Sequence, residues 1–118
     1  MTDSLTTFIR RGTVELEDGS GTAYPGLTLR ATADIADTAG ISRKEVEIAA
    51  LKSAVIPARY LRNIPTLGAD GQARLLSSAV AVIGAGGLGG LVIELCARVG
   101  IGTITVIDGD SFSEDNLN

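Results

Sequence analysis

The chain has 118 residues, which suffices for about one domain, and its 45% hydrophobic and 20% charged residues exclude a disordered or fibrous protein. The absence of His and the single Cys exclude imidazole bases, His-ligated metal sites and internal disulfides. The formal net charge of −4 arises entirely from residues 79–118, and this acidic end argues against a nucleic-acid partner, because phosphate binding needs Lys and Arg.

The chain begins without a clear hydrophobic period, so we expect its first dozen residues to form a loose or partner-dependent start. They lack the apolar core of a signal peptide, and no apolar run elsewhere is long enough to cross a bilayer. We therefore expect a cytoplasmic protein without a membrane partner. Val14 and Leu16 alternate with polar residues before a turn at 18–21, which predicts a β-hairpin.

Two short helices are predicted after the hairpin. The first begins at Ala33 and ends at Gly40, because glycine is common just after the last residue of a helix. The second covers about 43–53, because Ser42 and Glu45 have the spacing of a capping box, in which the Ser hydroxyl accepts a hydrogen bond from the third amide of the helix.

Residues 1–56 allow three interpretations. The two helices resemble a helix-turn-helix, but the region has six Lys or Arg against eight Asp or Glu, and this lack of positive charge disfavours DNA binding. Strands before a helix also suit a small β-grasp-like carrier, although no Gly-Gly tail is visible. We predict instead an N-terminal extension, made of a hairpin and helices, that packs on the following domain or forms a dimer contact.

The next segment is divided by proline and glycine. Pro57 suits the first position of a helix, and a short helix over 59–62 is predicted to follow it. Three residues, Pro65, Gly68 and Gly71, are expected to interrupt the helical structure, and a further helix is predicted after them over 72–77.

The last forty residues show a strand–helix–strand pattern. Two apolar runs of β-forming residues, 79–83 and 103–107, predict parallel strands buried on both faces. A helix over 86–99, ended by Gly100, connects them. Cys96 lies in this apolar helix and is predicted to be a small core residue.

A glycine-rich loop lies between the first of these strands and the helix. Gly84, Gly86 and Gly89 fit the pattern G-x-G-x-x-G: the first permits a tight turn, the second a close approach of phosphate, and the third close helix packing. Asp108 ends the second strand, where a carboxylate can accept hydrogen bonds from ribose. The pattern favours a nucleotide over a bend that merely packs the helix, but it does not choose between ATP and a dinucleotide. We predict the α/β class, with the first βαβ unit of a Rossmann-like nucleotide-binding domain after the mixed extension.

Several spaced motifs in residues 57–118 together resemble the opening of the ThiF/MoeB/HesA family, relatives of the ubiquitin-activating enzymes. These motifs are Arg59-Tyr60-Leu61-Arg62-Asn63, Gly71-Gln72, Gly84-Ala85-Gly86-Gly87-Leu88-Gly89, Gly100-Ile101-Gly102, Asp108-Gly109-Asp110 and Asn116-Leu117-Asn118. The resemblance implies that residues 57–118 are the start of a ThiF-type adenylating domain.

The resemblance also implies an activity, namely ATP-dependent adenylylation, with Mg²⁺, of the C-terminal carboxylate of a ubiquitin-like sulfur carrier protein. It assigns Arg62 to the phosphates of ATP bound by the partner subunit, which makes the active unit a homodimer, and Asn116 to a position near the phosphates. The nucleotide would be lined by Gly84, Gly86, Gly87 and Gly89, with Asp108 on its ribose. No metal ligand is assigned in this chain.

The chain departs from the family pattern in two respects, and two rival functions remain possible. The family usually has Gln where this chain has Asn63, and the residues that would follow Asn118, among them further catalytic residues and in many members zinc ligands, are absent. We therefore expect an N-terminal fragment that is inactive alone, and whether it is an enzyme stays open. The rivals are an NAD- or FAD-binding oxidoreductase domain and a non-catalytic nucleotide-binding module. Arg59 is expected to be structural and to pair with a carboxylate or a backbone carbonyl.

Overall fold

The computed structural model of the chain describes residues 2–84 and 86–107. Within these ranges, helices and strands follow one another in this order: α1 (Thr2–Gly12), β1 (Val14–Glu17), β2 (Ala23–Leu27), α2 (Leu29–Ala39), α3 (Arg43–Lys52), β3 (Ile56–Pro57), a 3₁₀ helix (Ala58–Asn63), α4 (Ile64–Leu76), β4 (Ala79–Ile83), α5 (Leu88–Val99) and β5 (Thr103–Ile107). The strands form two sheets, with the orders β1-β2-β3 and β4-β5. The predicted α/β class is confirmed.

The expected loose start is wrong, because residues 2–12 form helix α1. Leu5, Phe8 and Ile9 have the i, i+3, i+4 spacing that puts them on one helix face, and this face packs against α2 and α3. Ile9 is only 2% exposed. A helix this short gains most of its stability from such packing, which a local pattern rich in threonine does not reveal.

We expect Ile9→Ala to lower the free energy of unfolding by about 2–5 kcal/mol, because the change removes a buried side chain and leaves a cavity. Urea unfolding followed by circular dichroism measures this loss. Leu29→Ala is the matched control: Leu29 is 62% exposed, so its truncation should change stability by less than about 0.5 kcal/mol. Equal effects of the two substitutions would show that α1 does not pack as described.

The predicted hairpin and the helix ends after it are confirmed. Strands β1 and β2 pair antiparallel, and the side chain of Asp18 accepts hydrogen bonds from Ser20 and Thr22 in the turn. The hydroxyl of Ser20 also donates to this carboxylate, and this bond, with those from the backbone, holds the pKa of Asp18 below its usual value. Helix α2 ends just before Gly40, which caps it with φ +69°. It begins four residues earlier than predicted, because the hydroxyl of Thr28 caps it by accepting a hydrogen bond from Ala31 N–H.

Helix α3 begins as the capping box predicts, since Ser42 Oγ accepts a hydrogen bond from Glu45 N–H at 3.1 Å. The short segment after it differs from the prediction. Instead of starting a helix, Pro57 lies with Ile56 in strand β3, which pairs parallel with β2. The expected short helix then follows as a 3₁₀ helix.

The predicted interruption of helical structure between residues 65 and 71 is wrong for two of its three residues, because helix α4 spans Ile64–Leu76. Pro65 lies in its first turn, where a missing N–H costs no hydrogen bond, and Gly71 lies inside it. Only Gly68 interrupts the helical backbone, with φ +71° and ψ +167°.

The two halves of the chain share a hydrophobic cluster. Leu51 and Ile56 of the extension pack with four residues of the following segment: Tyr60, Ile64, Ala73 and Leu76. The extension therefore packs on the segment that follows it, which is one of the two roles predicted for it. None of the described helices is both long and apolar enough to span a bilayer.

Strands β4 and β5 are parallel, as predicted, and α5 connects them; Ala79 pairs with Thr103 and Ile83 with Ile107. Their predicted burial on both faces is wrong: Ile83 is 81% exposed, and Val82 is the one buried residue of the two strands. Helix α5 likewise has no buried residue, and Cys96 is half-buried rather than a core residue. The apolar residues of these strands and this helix would suit a buried position, but no described element covers the outer faces of the strands and the helix.

Candidate functional site

The glycine loop (residues 84–89, of which Ala85 lies outside the described residues) joins the end of β4 to the start of α5. Gly84 has φ +83° and Gly87 has φ +49°, values that an L side chain rarely adopts. The N–H of Gly84 donates to Ile107 O at 2.8 Å, which ties the loop to the end of β5. The loop therefore opens at the carboxyl edge of the parallel sheet, the edge at which ligands bind in open α/β sheets.

The loop has an open side and a closed side. A Cβ atom added at Gly84, Gly86 or Gly87 would meet no described atom within 4 Å, so backbone faces open space there. A Cβ at Gly89 would instead collide with the carbonyl oxygen of Gly84. The lack of a side chain at Gly89 therefore allows the start of α5 to pack against Gly84, whereas the lack of one at Gly86 leaves space on the open side of the loop.

The N-terminus of α5 is suited to an anion. Gly87 is the N-cap residue and provides no side-chain hydrogen bond, and the first turn contains no acidic residue. The N–H of Gly89 is already bonded to Gly86 O at 2.9 Å, but the helix dipole still gives this end a partial positive charge that no described side chain neutralises.

The 3₁₀ helix carries the two arginines of the family motif, and they differ in environment. Arg59 forms a bidentate pair with Glu47 of α3: Nε donates to Oε2 at 2.9 Å and Nη2 to Oε1 at 2.6 Å. These bonds raise the pKa of Arg59 above its usual value. The structural role expected for Arg59 is therefore confirmed. Arg62 is exposed and makes no hydrogen bond or ion pair with any described residue.

Gln72 connects this 3₁₀ helix to α5. It is fully buried; its Oε1 accepts from Asn63 Nδ2 at 2.9 Å, and its Nε2 donates to Val99 O at 2.9 Å. Val99 is the last residue of α5, so the segment with Arg62 is linked to the end of α5 opposite the glycine loop. Because α5 rises by about 18 Å over its 12 residues, the glycine loop and the Val99 carbonyl that binds Gln72 lie at opposite ends of this helix.

Close packing reinforces this link. Gly100 has φ +96°, and a Cβ there would lie 2.9 Å from Tyr60 Cε1 and closer still to Gln72 Nε2. A Cβ at Gly102 would lie 2.8 Å from the carbonyl carbon of Leu76. The two glycines of the Gly100-Ile101-Gly102 motif thus allow α4 and the 3₁₀ helix to approach the βαβ unit. Burial raises the pKa of Tyr60.

The remaining predicted site residues, Asp108 and Asn116, lie outside the described residues. Within residues 2–84 and 86–107, no three Cys, Asp or Glu side chains lie close enough together to bind a metal ion. Sequence reasoning missed Glu47, and it named Gln72 only as part of a family motif, without the structural role that it has here. The available signal was the same for both, namely a polar residue at the position of an apolar stripe where a buried side chain is expected.

Comparison with known proteins agrees with the resemblance. The ThiF family model matches residues 59–118, which is half of the chain. The chain is 49% identical over 74 residues to the probable adenylyltransferase/sulfurtransferase MoeZ of Mycobacterium tuberculosis, a match that covers 61% of this chain and 19% of that protein. It is also 49% identical over 61 residues to the SAMP-activating enzyme E1 of Haloferax volcanii, covering 50% of this chain and 23% of that protein.

A fungal relative gives a similar match: the adenylyltransferase and sulfurtransferase UBA4 of Yarrowia lipolytica is 47% identical over 62 residues, covering 51% of this chain and 16% of that protein. The chain thus spans about a fifth of the length of these relatives. No solved structure matches it. The glycine loop, the arginine motif and Gln72 all lie within the matched residues, and the chain belongs to the ThiF family.

Proposed function

We propose that this chain supplies the phosphate-binding loop and an arginine for the partner subunit's site in an ATP-dependent adenylyltransferase, whose substrate is the C-terminal carboxylate of a ubiquitin-like sulfur carrier protein. The observation that carries the proposal is the open backbone at Gly84, Gly86 and Gly87, next to a helix N-terminus without an acidic residue. The names of the relatives, adenylyltransferases among them, support ATP over a dinucleotide.

In the proposed reaction, a carboxylate oxygen of the carrier bonds to the α-phosphorus of ATP. The bond from that phosphorus to the bridging oxygen of the β-phosphate breaks, and pyrophosphate leaves with Mg²⁺. The products are a carrier acyl-adenylate and pyrophosphate. Two anions must be held together for this step, so the site needs N–H donors and cations directed at the phosphates. The glycine loop provides the backbone donors, and Asp108 and Asn116 are proposed for the ribose and the phosphate region.

The location of Arg62 supports its proposed role in a homodimer. Its segment is linked through Gln72 to the end of α5 opposite this chain's own loop, and its side chain is exposed without a partner among the described residues. An exposed arginine at that end of α5 is free to enter a site on a second subunit. In a two-fold dimer, each subunit would complete the other's site.

The test uses a fusion protein, in which this chain is joined at the end of the aligned region to the downstream part of the M. tuberculosis relative. With ATP–Mg²⁺ and a carrier that ends in Gly-Gly, we expect the fusion protein to exchange labelled pyrophosphate into ATP. A carrier without its last glycine is the control and should support no exchange. Tight NAD or FAD binding without exchange would favour the oxidoreductase, and ATP binding without exchange would favour a non-catalytic nucleotide-binding module.

A further inference from the structure

A single carboxylate connects the extension to the arginine segment. Glu47 lies in α3, outside the residues that match the ThiF family, and its side chain is 3% exposed, whereas that of Arg59 is 50% exposed. A buried carboxylate is stable only when it is paired and hydrogen-bonded, and Arg59 occupies both of its oxygens. The planar guanidinium fork also fixes the orientation of the pair, which a single contact would not do.

This ion pair continues into the packing around Tyr60. The guanidinium of Arg59 lies 4.7 Å from the centre of the Tyr60 ring, a distance at which a cation and an aromatic face attract each other. Tyr60 is buried, and its ring is in close contact with the backbone at Gly100, where no Cβ would fit. The first half of the 3₁₀ helix is therefore held between α3 and the end of α5.

The other end of the 3₁₀ helix is held independently. Asn63 donates to the buried Gln72, which in turn bonds to Val99 O. Arg62 thus lies between two fixed residues, Tyr60 and Asn63, while its own side chain is exposed. Residues three apart in a 3₁₀ helix lie on the same face, so Arg59 and Arg62 share one face of this helix. Glu47 neutralises the first of these charges and leaves the second available to a ligand.

We propose that Glu47 is a positioning residue: it fixes the 3₁₀ helix through Arg59, so that the extension determines where Arg62 is presented. The role assigned to Arg62 rests on the proposed function, but the positioning itself does not. The extension thereby becomes part of the nucleotide site of the partner subunit without contacting the nucleotide, and Arg59 is a structural arginine rather than a second phosphate ligand.

The test is NMR spectroscopy of the ¹⁵N-labelled chain of 118 residues, without any nucleotide. In Glu47→Gln we expect loss of the slowly exchanging Arg59 Nε–H signal, changed amide shifts over 58–63 with Arg62 included, and at least tenfold faster hydrogen exchange there. Arg59→Lys keeps the charge but loses the fork, so it should change the amide shifts and the hydrogen exchange over 58–63 in the same way, to a smaller extent. If Glu47→Gln does not fold, the Arg59→Lys variant alone tests whether the ion pair fixes the 3₁₀ helix.

Val46→Ala is the matched control, because Val46 is the buried neighbour of Glu47 in α3 and packs in the other hydrophobic cluster. This change should lower stability but leave the signals of residues 58–63 and of Arg59 Nε–H unchanged. Unchanged signals over 58–63 in the Glu47 and Arg59 variants would overturn the proposal, and so would equal changes in Val46→Ala. Because no nucleotide is present, failure of the fusion protein in pyrophosphate exchange would contradict the proposed function and leave this result standing.

Discussion

Gly86→Ala in the fusion protein is expected to weaken ATP–Mg²⁺ binding at least about tenfold, which corresponds to ~1.4 kcal/mol, without loss of stability. The added methyl group would meet no described protein atom within 4 Å. Any loss of binding must therefore come from contact between the methyl group and the ligand, because the second glycine of this pattern is the one that phosphate approaches. Calorimetric titration measures the affinity, and urea unfolding measures the stability.

Two further glycines sharpen this comparison. Gly19→Ala adds a methyl group in open space at the hairpin turn, so it should change neither affinity nor stability. Gly89→Ala places its methyl group against the carbonyl of Gly84, so it should lower both. If Gly86→Ala binds ATP as the unaltered protein does, phosphate does not lie against the open side of the loop.

Arg62→Ala in the fusion protein is expected to reduce pyrophosphate exchange about 10²-fold, the usual cost of removing one donor from a developing charge. Stability should stay unchanged, because the Arg62 side chain is exposed and makes no bond to a described residue. Arg74→Ala is a suitable control, since Arg74 is also an exposed arginine of the matched segment and has no proposed role. Equal rates for Arg62→Ala and the control would remove Arg62 from the site.

Subunit mixing tests whether Arg62 acts on the partner's nucleotide. A dimer of one Arg62→Ala subunit and one Gly86→Ala subunit has one site with both an intact loop and an arginine, if the arginine comes from the other subunit. Random mixing should then recover about a quarter of the unaltered activity, because half of the two-fold dimers are mixed and each has one intact site. No recovery would mean that loop and arginine act within one subunit.

Local signals account for the parts of the fold that the sequence predicts well. The Ser42 cap of α3, Gly40 after α2 and the hairpin turn at 18–21 each depend on residues a few positions apart, and the structure contains all three. The strands at 79–83 and 103–107 were predicted with their observed bounds for the same reason, since runs of Val, Ile and Thr prefer extended backbone. The position of the glycine loop is predicted as well, because the strand before it and the helix after it are both predicted.

The features that were missed depend on partners far away in sequence. Helix α1 forms because Ile9 is buried against α2 and α3, and β3 exists only because β2 lies beside it. A partner for Arg59 was expected, but nothing local indicates that it is Glu47, twelve residues earlier. The exposure of β4 and α5 could not be predicted either, because burial depends on which other elements cover a face.

The most direct test of the central claim, that the backbone of the glycine loop binds the phosphates of ATP, is titration of the fusion protein with ATP–Mg²⁺ and, separately, with NAD. We expect saturable binding of one ATP per subunit and no binding of NAD at the same concentrations. Tight binding of NAD together with no binding of ATP would contradict the account.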